Sequence, residues 1–190
     1  KMQTQVITSK EAYFDILQNS DTKLEFHDGE IVAMTGAKPT HNLIVTNITT
    51  SLLNCLRKKG CFLFSSDQLI KIEECNKYLF PDLVIVCKNP VFENTKRGIE
   101  ALENPEIIIE VLSDTTEAFD RTEKFDCYKT IPSFREYVLV SSNKKKVEVI
   151  KKINDSEWLI HTYSPFNEKV LIDECEILFE DIYYQTEKIK

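Results

Sequence analysis

The succession of apolar and polar positions predicts a helix, a hairpin and a long helix before the chain turns to strands. Ser9 can cap a short helix over 11–18, with Tyr13, Phe14, Ile16 and Leu17 on its apolar side. Lys23–Phe26 and Glu30–Met34 flank His27-Asp28-Gly29 and read as a hairpin with a glycine-containing turn. Acidic residues in hairpins mostly face water, which is the first reading for Glu25 and Glu30. Thr40 caps a helix from His41 to about Lys58, buried along Leu43, Ile44, Asn47, Ile48, Ser51, Leu52 and Leu56.

From Cys61 the rhythm changes. Cys61–Phe64 and Gln68–Ile72 are strand-like and joined by Ser65-Ser66-Asp67, and Glu73–Lys77 is a polar turn. Leu79–Val86 and Pro105–Ser113 are nearly continuous apolar, β-branched runs, the signature of central strands covered on both faces. The stretch between them, Lys88–Asn104 with Asn94, Lys96 and Gly98, is irregular. Asp120 with Glu123 three residues on resembles a capping box and predicts a helix over Asp120–Ile131, ended by Pro132. Arg135–Val140 returns as a strand. Val147–Lys151, Trp158–Tyr163 and Lys169–Ile172 alternate as a one-sided antiparallel meander, Trp158 reads as core, and Ile177–Tyr183 is a closing apolar segment. The expected fold class is therefore α/β: a mixed central sheet flanked by helices, with an additional antiparallel C-terminal meander.

Composition narrows the picture. With 190 residues the chain is expected to be one domain, 2–190, leaving out the Lys1 that precedes Met2. A formal net charge of -7 argues against tight nonspecific binding to a polyanion. Lysines nevertheless cluster at 57–59 (with Arg57), 144–146 and 151–152, where a solvated helix end and hairpin turn are the plainer account. The six cysteines show no Cys-x-x-Cys and no accompanying histidines, which speaks against zinc and for small core hydrophobes in a reducing compartment. No run is long enough to span a bilayer and no signal-peptide segment is evident, so a soluble, cytoplasmic protein with no membrane partner is expected.

The chemistry sits in the two apolar strands. Asp82 opens one and Glu110 lies near the end of the other, and a charge there requires a cation. Converging carboxylates, joined by a strand carbonyl such as that of Val111, would seat a hard divalent ion, Mg²⁺ with Mn²⁺ as the other candidate. Such an ion could bind a phosphate oxygen and acidify a coordinated water. Lys124, in the first turn of the predicted helix, could position that water and offset transition-state charge. His41, in the first turn of its helix, reads either as a surface residue kept neutral by the helix dipole or as a neutral group that helps hold a phosphate.

At these residues the chain resembles the PD-(D/E)XK nuclease superfamily and, within it, the Uma-two family of restriction-endonuclease-like proteins. The match runs through Pro81-Asp82, Glu110-Val111-Leu112-Ser113, Asp120-x-x-x-Lys124-x-x-x-Tyr128 and Arg135–Val140. Upstream, Leu24–Val32 with His41 is similar to the family's opening hairpin and helix. The superfamily lysine expected two positions after the glutamate is Leu112 here, and the resemblance implies that Lys124 has taken its place. It further implies a restriction-endonuclease-like sheet, a catalytic set of Asp82, Glu110 and Lys124, and supporting roles for Glu30 and His41. The activity implied is Mg²⁺-dependent hydrolysis of DNA phosphodiester bonds. A twofold homodimer is expected beside it, because cutting a duplex needs two active sites and symmetric pairs are the commonest assembly. A catalytically inactive module that keeps the fold and binds nucleic acid or protein is the alternative, favoured by Leu112 and the acidic balance.

Overall fold

The computed structural model describes residues 8–95 and 98–189. The expected domain's residues 2–7 and 190, and Lys96, lie outside these. Helix α1 (Lys10–Gln18) is capped by Ser9, whose hydroxyl accepts the Ala12 amide at 3.2 Å, and buries Tyr13 and Phe14. Strands β1 (Leu24–His27) and β2 (Glu30–Ala33) pair across Asp28 and Gly29, both at positive φ, as a two-residue turn between twisted strands requires. Helix α2 spans Pro39–Lys59 and buries Ile44, Ile48, Leu52 and Leu56. Thr40 is not its cap: Pro39 opens the first turn after Lys38, where the missing proline amide costs no hydrogen bond.

Seven strands follow: β3 (Phe62–Ser65), β4 (Ile70–Ile72), β5 (Lys77–Leu79), β6 (Leu83–Val86), β7 (Phe92–Asn94), β8 (Glu100–Leu102) and β9 (Ile107–Leu112). The segment expected to be irregular thus holds β7 and β8, three residues each and too short to show a period. Next come α3 (Glu117–Phe119), a π-helical turn (Asp120–Lys124) and α4 (Phe125–Tyr128), which run on without a break. Asp120 is therefore not a cap, and the helix opens three residues earlier than its capping-box pattern suggests. The chain closes with β10 (Glu136–Ser141), β11 (Val147–Lys152), β12 (Trp158–Tyr163), β13 (Lys169–Ile172), β14 (Cys175–Leu178) and α5 (Phe179–Ile182).

Among the described residues the strands form two six-stranded sheets, β2-β1-β5-β4-β8-β7 and β12-β11-β10-β9-β6-β3, and a β13–β14 ribbon. Consecutive β3 and β4, the two strand-like segments on either side of Ser66-Asp67, belong to different sheets. In the second sheet β9 pairs antiparallel with β6 and parallel with β10, and β10–β11–β12 is an antiparallel meander. Of the three strands expected to form the meander, β11 and β12 belong to it, whereas Lys169–Ile172 (β13) pairs with β14 instead. One face of this sheet buries Ile107, Ile109 and Val111 against α2; the other buries Val84, Ile108 and Leu112 against α4 and against Ile70, Ile72 and Leu79 of the first sheet. Tyr13, Phe14, Phe26 and Tyr78 form an outer aromatic core under α1. Trp158 is half-buried, its ring 5.4 Å from Phe125 and 5.5 Å from Phe134.

All six cysteines are paired, Cys55–Cys175, Cys61–Cys87 and Cys75–Cys127, contrary to the expectation of free thiols. The partners stand 120, 26 and 52 positions apart, on elements that meet only in the folded chain, so no local spacing reveals them. Among the described residues no helix is long and apolar enough to cross a membrane.

Candidate active site

Continuing the β6–β9 register from Leu83↔Ile109 by one step sets Asp82 across from Glu110 at the end of the sheet. Directly opposed residues project to one face, and here they reach for each other's backbone. Asp82 Oδ2 accepts the Val111 amide at 2.7 Å, and Glu110 Oε2 lies 3.3 Å from the Asp82 amide. In a strand the N–H and C=O of one residue point to the same side, so the Val111 carbonyl is also on the β6 side.

Each carboxylate has one oxygen engaged and one open. Glu110 Oε1 accepts the Tyr128 hydroxyl at 3.0 Å and the Lys124 ammonium at 2.7 Å, whereas Oε2 has only the long Asp82 contact. Asp82 Oδ2 meets His41 Nε2 at 3.0 Å besides the Val111 amide, and Asp82 Oδ1 accepts nothing among the described residues. Two hard oxygens with spare lone pairs, and a strand carbonyl beside them, suit a cation such as Mg²⁺ or Mn²⁺ completed by water and phosphate.

Charge argues the same way. Lys124 is buried, and besides Glu110 it meets Asp120 Oδ1 at 3.3 Å, while Glu25 stabilises its charge from β1. Burial opposes the ammonium, but Glu110, Asp120 and Glu25 together raise its pKa. Glu110, Asp120 and Glu25 thus share one lysine, while Asp82 has His41. Burial, with Asp82 and Asp120 nearby, pushes the Glu110 carboxyl up to about 8 despite Lys124. The cluster is short of positive charge, the condition a divalent ion would relieve.

Of the residues the sequence singled out, Asp82, Glu110, Val111, Lys124 and His41 come together. His41 is not biased toward its neutral form: burial works against its charge, but the hydrogen bond and charge of Asp82 outweigh this and raise its pKa. Glu30 does not join them; it is exposed, at the rim of a cleft of about 860 Å³ that also touches Lys124 and Asp120. Its hairpin neighbour Glu25 occupies the interior position instead and does not face water. Burial opposes the Glu25 charge, but His27, Lys124 and the Phe80 amide at 2.8 Å outweigh it and lower its pKa. Leu24 and Phe26 point under α1, so the alternation turns Glu25 toward the site.

Asp120 and Tyr128 were visible in sequence only as spacing around Lys124. The π turn gives them a role: Asp120 is buried beside the lysine, its carbonyl accepts the Tyr137 hydroxyl at 3.1 Å, and Tyr128 carries the hydrogen bond to Glu110. Lys71 and Lys129 are engaged elsewhere, with Glu73, Glu93 and Glu103 and with Asp126.

A family model described as "Uma2: Putative restriction endonuclease" matches residues 11–178. Two uncharacterized proteins of Synechocystis are similar: sll1609, 33% identical over 83% of this chain and 87% of its own length, and slr1290, 32% identical over 82% and 80%. The crystal structure of a "putative nuclease belonging to DUF820" from Anabaena variabilis superposes with a TM-score of 0.70, covering 93% of this chain and 97% of that one at 13% identity, a likeness of fold. With its acid pair on neighbouring strands and a model match over most of its length, this chain belongs to the Uma2 family of restriction-endonuclease-like proteins.

Proposed function

We propose that this protein is a Mg²⁺-dependent endonuclease that hydrolyses DNA phosphodiester bonds, with Asp82 and Glu110 as metal ligands and Lys124 as its catalytic lysine. The observation that carries the reading is the pair of open oxygens, Asp82 Oδ1 and Glu110 Oε2, with Lys124 held 2.7 Å from the second carboxylate. Mg²⁺, or Mn²⁺, would supply Lewis acidity toward a phosphate oxygen and a water of lowered pKa. Around it Tyr128 orients Glu110, the Val111 amide and His41 orient Asp82, and Lys124 donates to the attacking water or to the charge building on the phosphate. Asp120 and Glu25 keep Lys124 charged while it does so. The reading includes a twofold dimer for duplex cleavage, with one site per strand.

It also places the protein in the cytoplasm, beside its DNA. There the thiol pool opposes the three disulfides of the fold, so the placement requires all six cysteines to be alkylated as free thiols on isolation, and retained disulfides refute it. The second reading, an inactive binding module, is favoured by the Lys124–Glu110 contact, since an acid already bonded to a lysine needs no metal. Nicking of supercoiled plasmid with Mg²⁺ or Mn²⁺ decides between the two. Loss of nicking in Asp82→Asn supports the nuclease, and a parent protein inert on duplex, single-stranded DNA and RNA supports the module.

A further inference from the structure

The fold sorts the lysine clusters that the sequence leaves equivalent. Arg57, Lys58 and Lys59 end α2, whose first turn carries His41, so they lie at the far end from Asp82. Lys151 pairs in register with Glu136 at the start of β10, also at the far end. Because β10 runs parallel to β9, with Val140 beside Val111 and Ser141 beside Leu112, the turn that carries Lys144–Lys146 emerges at the end that holds the acid pair.

This turn is rigidly held. The Ser142 amide and hydroxyl both donate to the Leu112 carbonyl, at 3.2 and 2.6 Å, and the Lys146 amide donates to the Tyr183 hydroxyl at 2.9 Å. Asn143 donates to Asp114, whose other oxygen lies 3.8 Å from Lys38 at the start of α2. Lys145 and Lys146 are taken by Glu187 and Glu148. Lys144 is exposed and has no acidic partner among the described residues, and Lys38, its side chain 75% exposed, has only the long Asp114 contact. The first turn of α2 beside Lys38 holds no acid. Across the site the polarity reverses: Glu30, Asp28, Glu74 and Glu123 line the cleft on the Lys124 side.

We propose that the β10–β11 turn and the start of α2 form a cationic lip along which the phosphate backbone of a DNA duplex lies, with Lys38 and Lys144 as phosphate contacts, so that the backbone crosses the acid pair from the α2 side and stays clear of the acidic cleft. This rests on the nuclease reading of the acid pair. The turn begins three residues past Leu139, the register partner of Glu110. Lys144 therefore stands about 10–13 Å along the sheet from the acids, or about three to four 3.4 Å steps of a strand. A net charge of -7 is compatible with this because the contacts are few and local, and it predicts weak binding that salt erases.

The test is fluorescence anisotropy with a labelled 20-base-pair duplex in EDTA, across a salt series, which requires no cleavage. Lys144→Ala and Lys38→Ala should each weaken binding about 3–10-fold and make the slope of log K against log salt shallower by about 0.9. Lys58→Ala, an exposed lysine at the far end, should change neither. Equal losses at Lys58, unchanged affinity and slope in both lip variants, or no binding by the parent protein at low salt each overturns the lip. Plasmid nicking is read separately. A parent that binds through Lys144 but never nicks keeps the lip and refutes the nuclease, while one that nicks with no dependence on Lys38 or Lys144 does the reverse.

Discussion

Glu110→Gln should stabilise the metal-free protein, and increasingly so as pH rises. The Glu110 carboxyl is pushed from 4.5 to about 8 in the folded chain. Between those values the folded state holds a proton that the unfolded state has lost, so this group's contribution to stability falls as pH rises and levels off above about 8. At 1.36 kcal/mol per unit the ceiling is about 5 kcal/mol. Glutamine keeps an oxygen for the Tyr128 hydroxyl and removes the charge. It also takes one counter-ion from Lys124, which retains Asp120 and Glu25, so a net gain of about 1–3 kcal/mol at pH 8.5 is expected. For a chain of this size that is about 2–12 °C in melting midpoint. Thermal unfolding of both proteins with EDTA, from pH 5 to 9, provides the measurement. A difference that stays flat or shrinks with rising pH would refute the assignment of Glu110 as a buried carboxyl that is neutral at pH 7 without metal.

Four further outcomes follow from the same geometry. Mn²⁺ or Ca²⁺ should raise the parent's melting midpoint but not that of Asp82→Asn or Glu110→Gln, and the apparent affinity should climb toward pH 8 and then level, because the ion must displace the Glu110 proton. Lys124→Ala should abolish nicking without weakening metal binding, and should destabilise the metal-free protein by about 3–5 kcal/mol, since it strands several buried acids; a variant that nicks like the parent disproves the lysine assignment. Glu25→Ala should cost about 2–3 kcal/mol by leaving the Phe80 amide without its acceptor and Lys124 with one acid fewer, whereas Glu30→Ala should stay within about 0.5 kcal/mol by denaturant titration. Sedimentation of the parent at micromolar concentration should show a dimer; monomer alone argues against the twofold assembly.

The centre of the second sheet was legible because β6, β9 and β10 are buried on both faces and read as apolar runs, and because Asp82 and Glu110 interrupt those runs where a charge needs a reason. The first sheet was legible in part. Its β1–β2 hairpin and β4 read as strands, but β5, β7 and β8 have three residues each, and Lys77, read as part of a polar turn, is buried with Glu123 as its partner. Glu25 was misread for a related cause. Alternation assigns a polar residue to water only when one face of the sheet is wet, and β1 is covered on one side by α1 and on the other by the site. The start of α2 was misplaced because proline at a first helical position leaves the same trace as a loop. The disulfides had no local signature at all.

The π turn has a further consequence, for how such a site can arise. A π turn holds one more residue per hydrogen-bonded loop than an α turn, so it changes the angular phase of everything after it by about a quarter of a circle. Asp120, Lys124 and Tyr128 face Glu110 through a segment that contains this extra residue. Removing one residue there would restore a regular helix and swing Lys124 away from the acids, with every side chain of the set still encoded. A lysine can thus enter or leave such a site by a single-codon insertion or deletion in a helix, and a chain whose strand lacks the expected lysine is better judged by the phase of the helix that follows than by the strand itself.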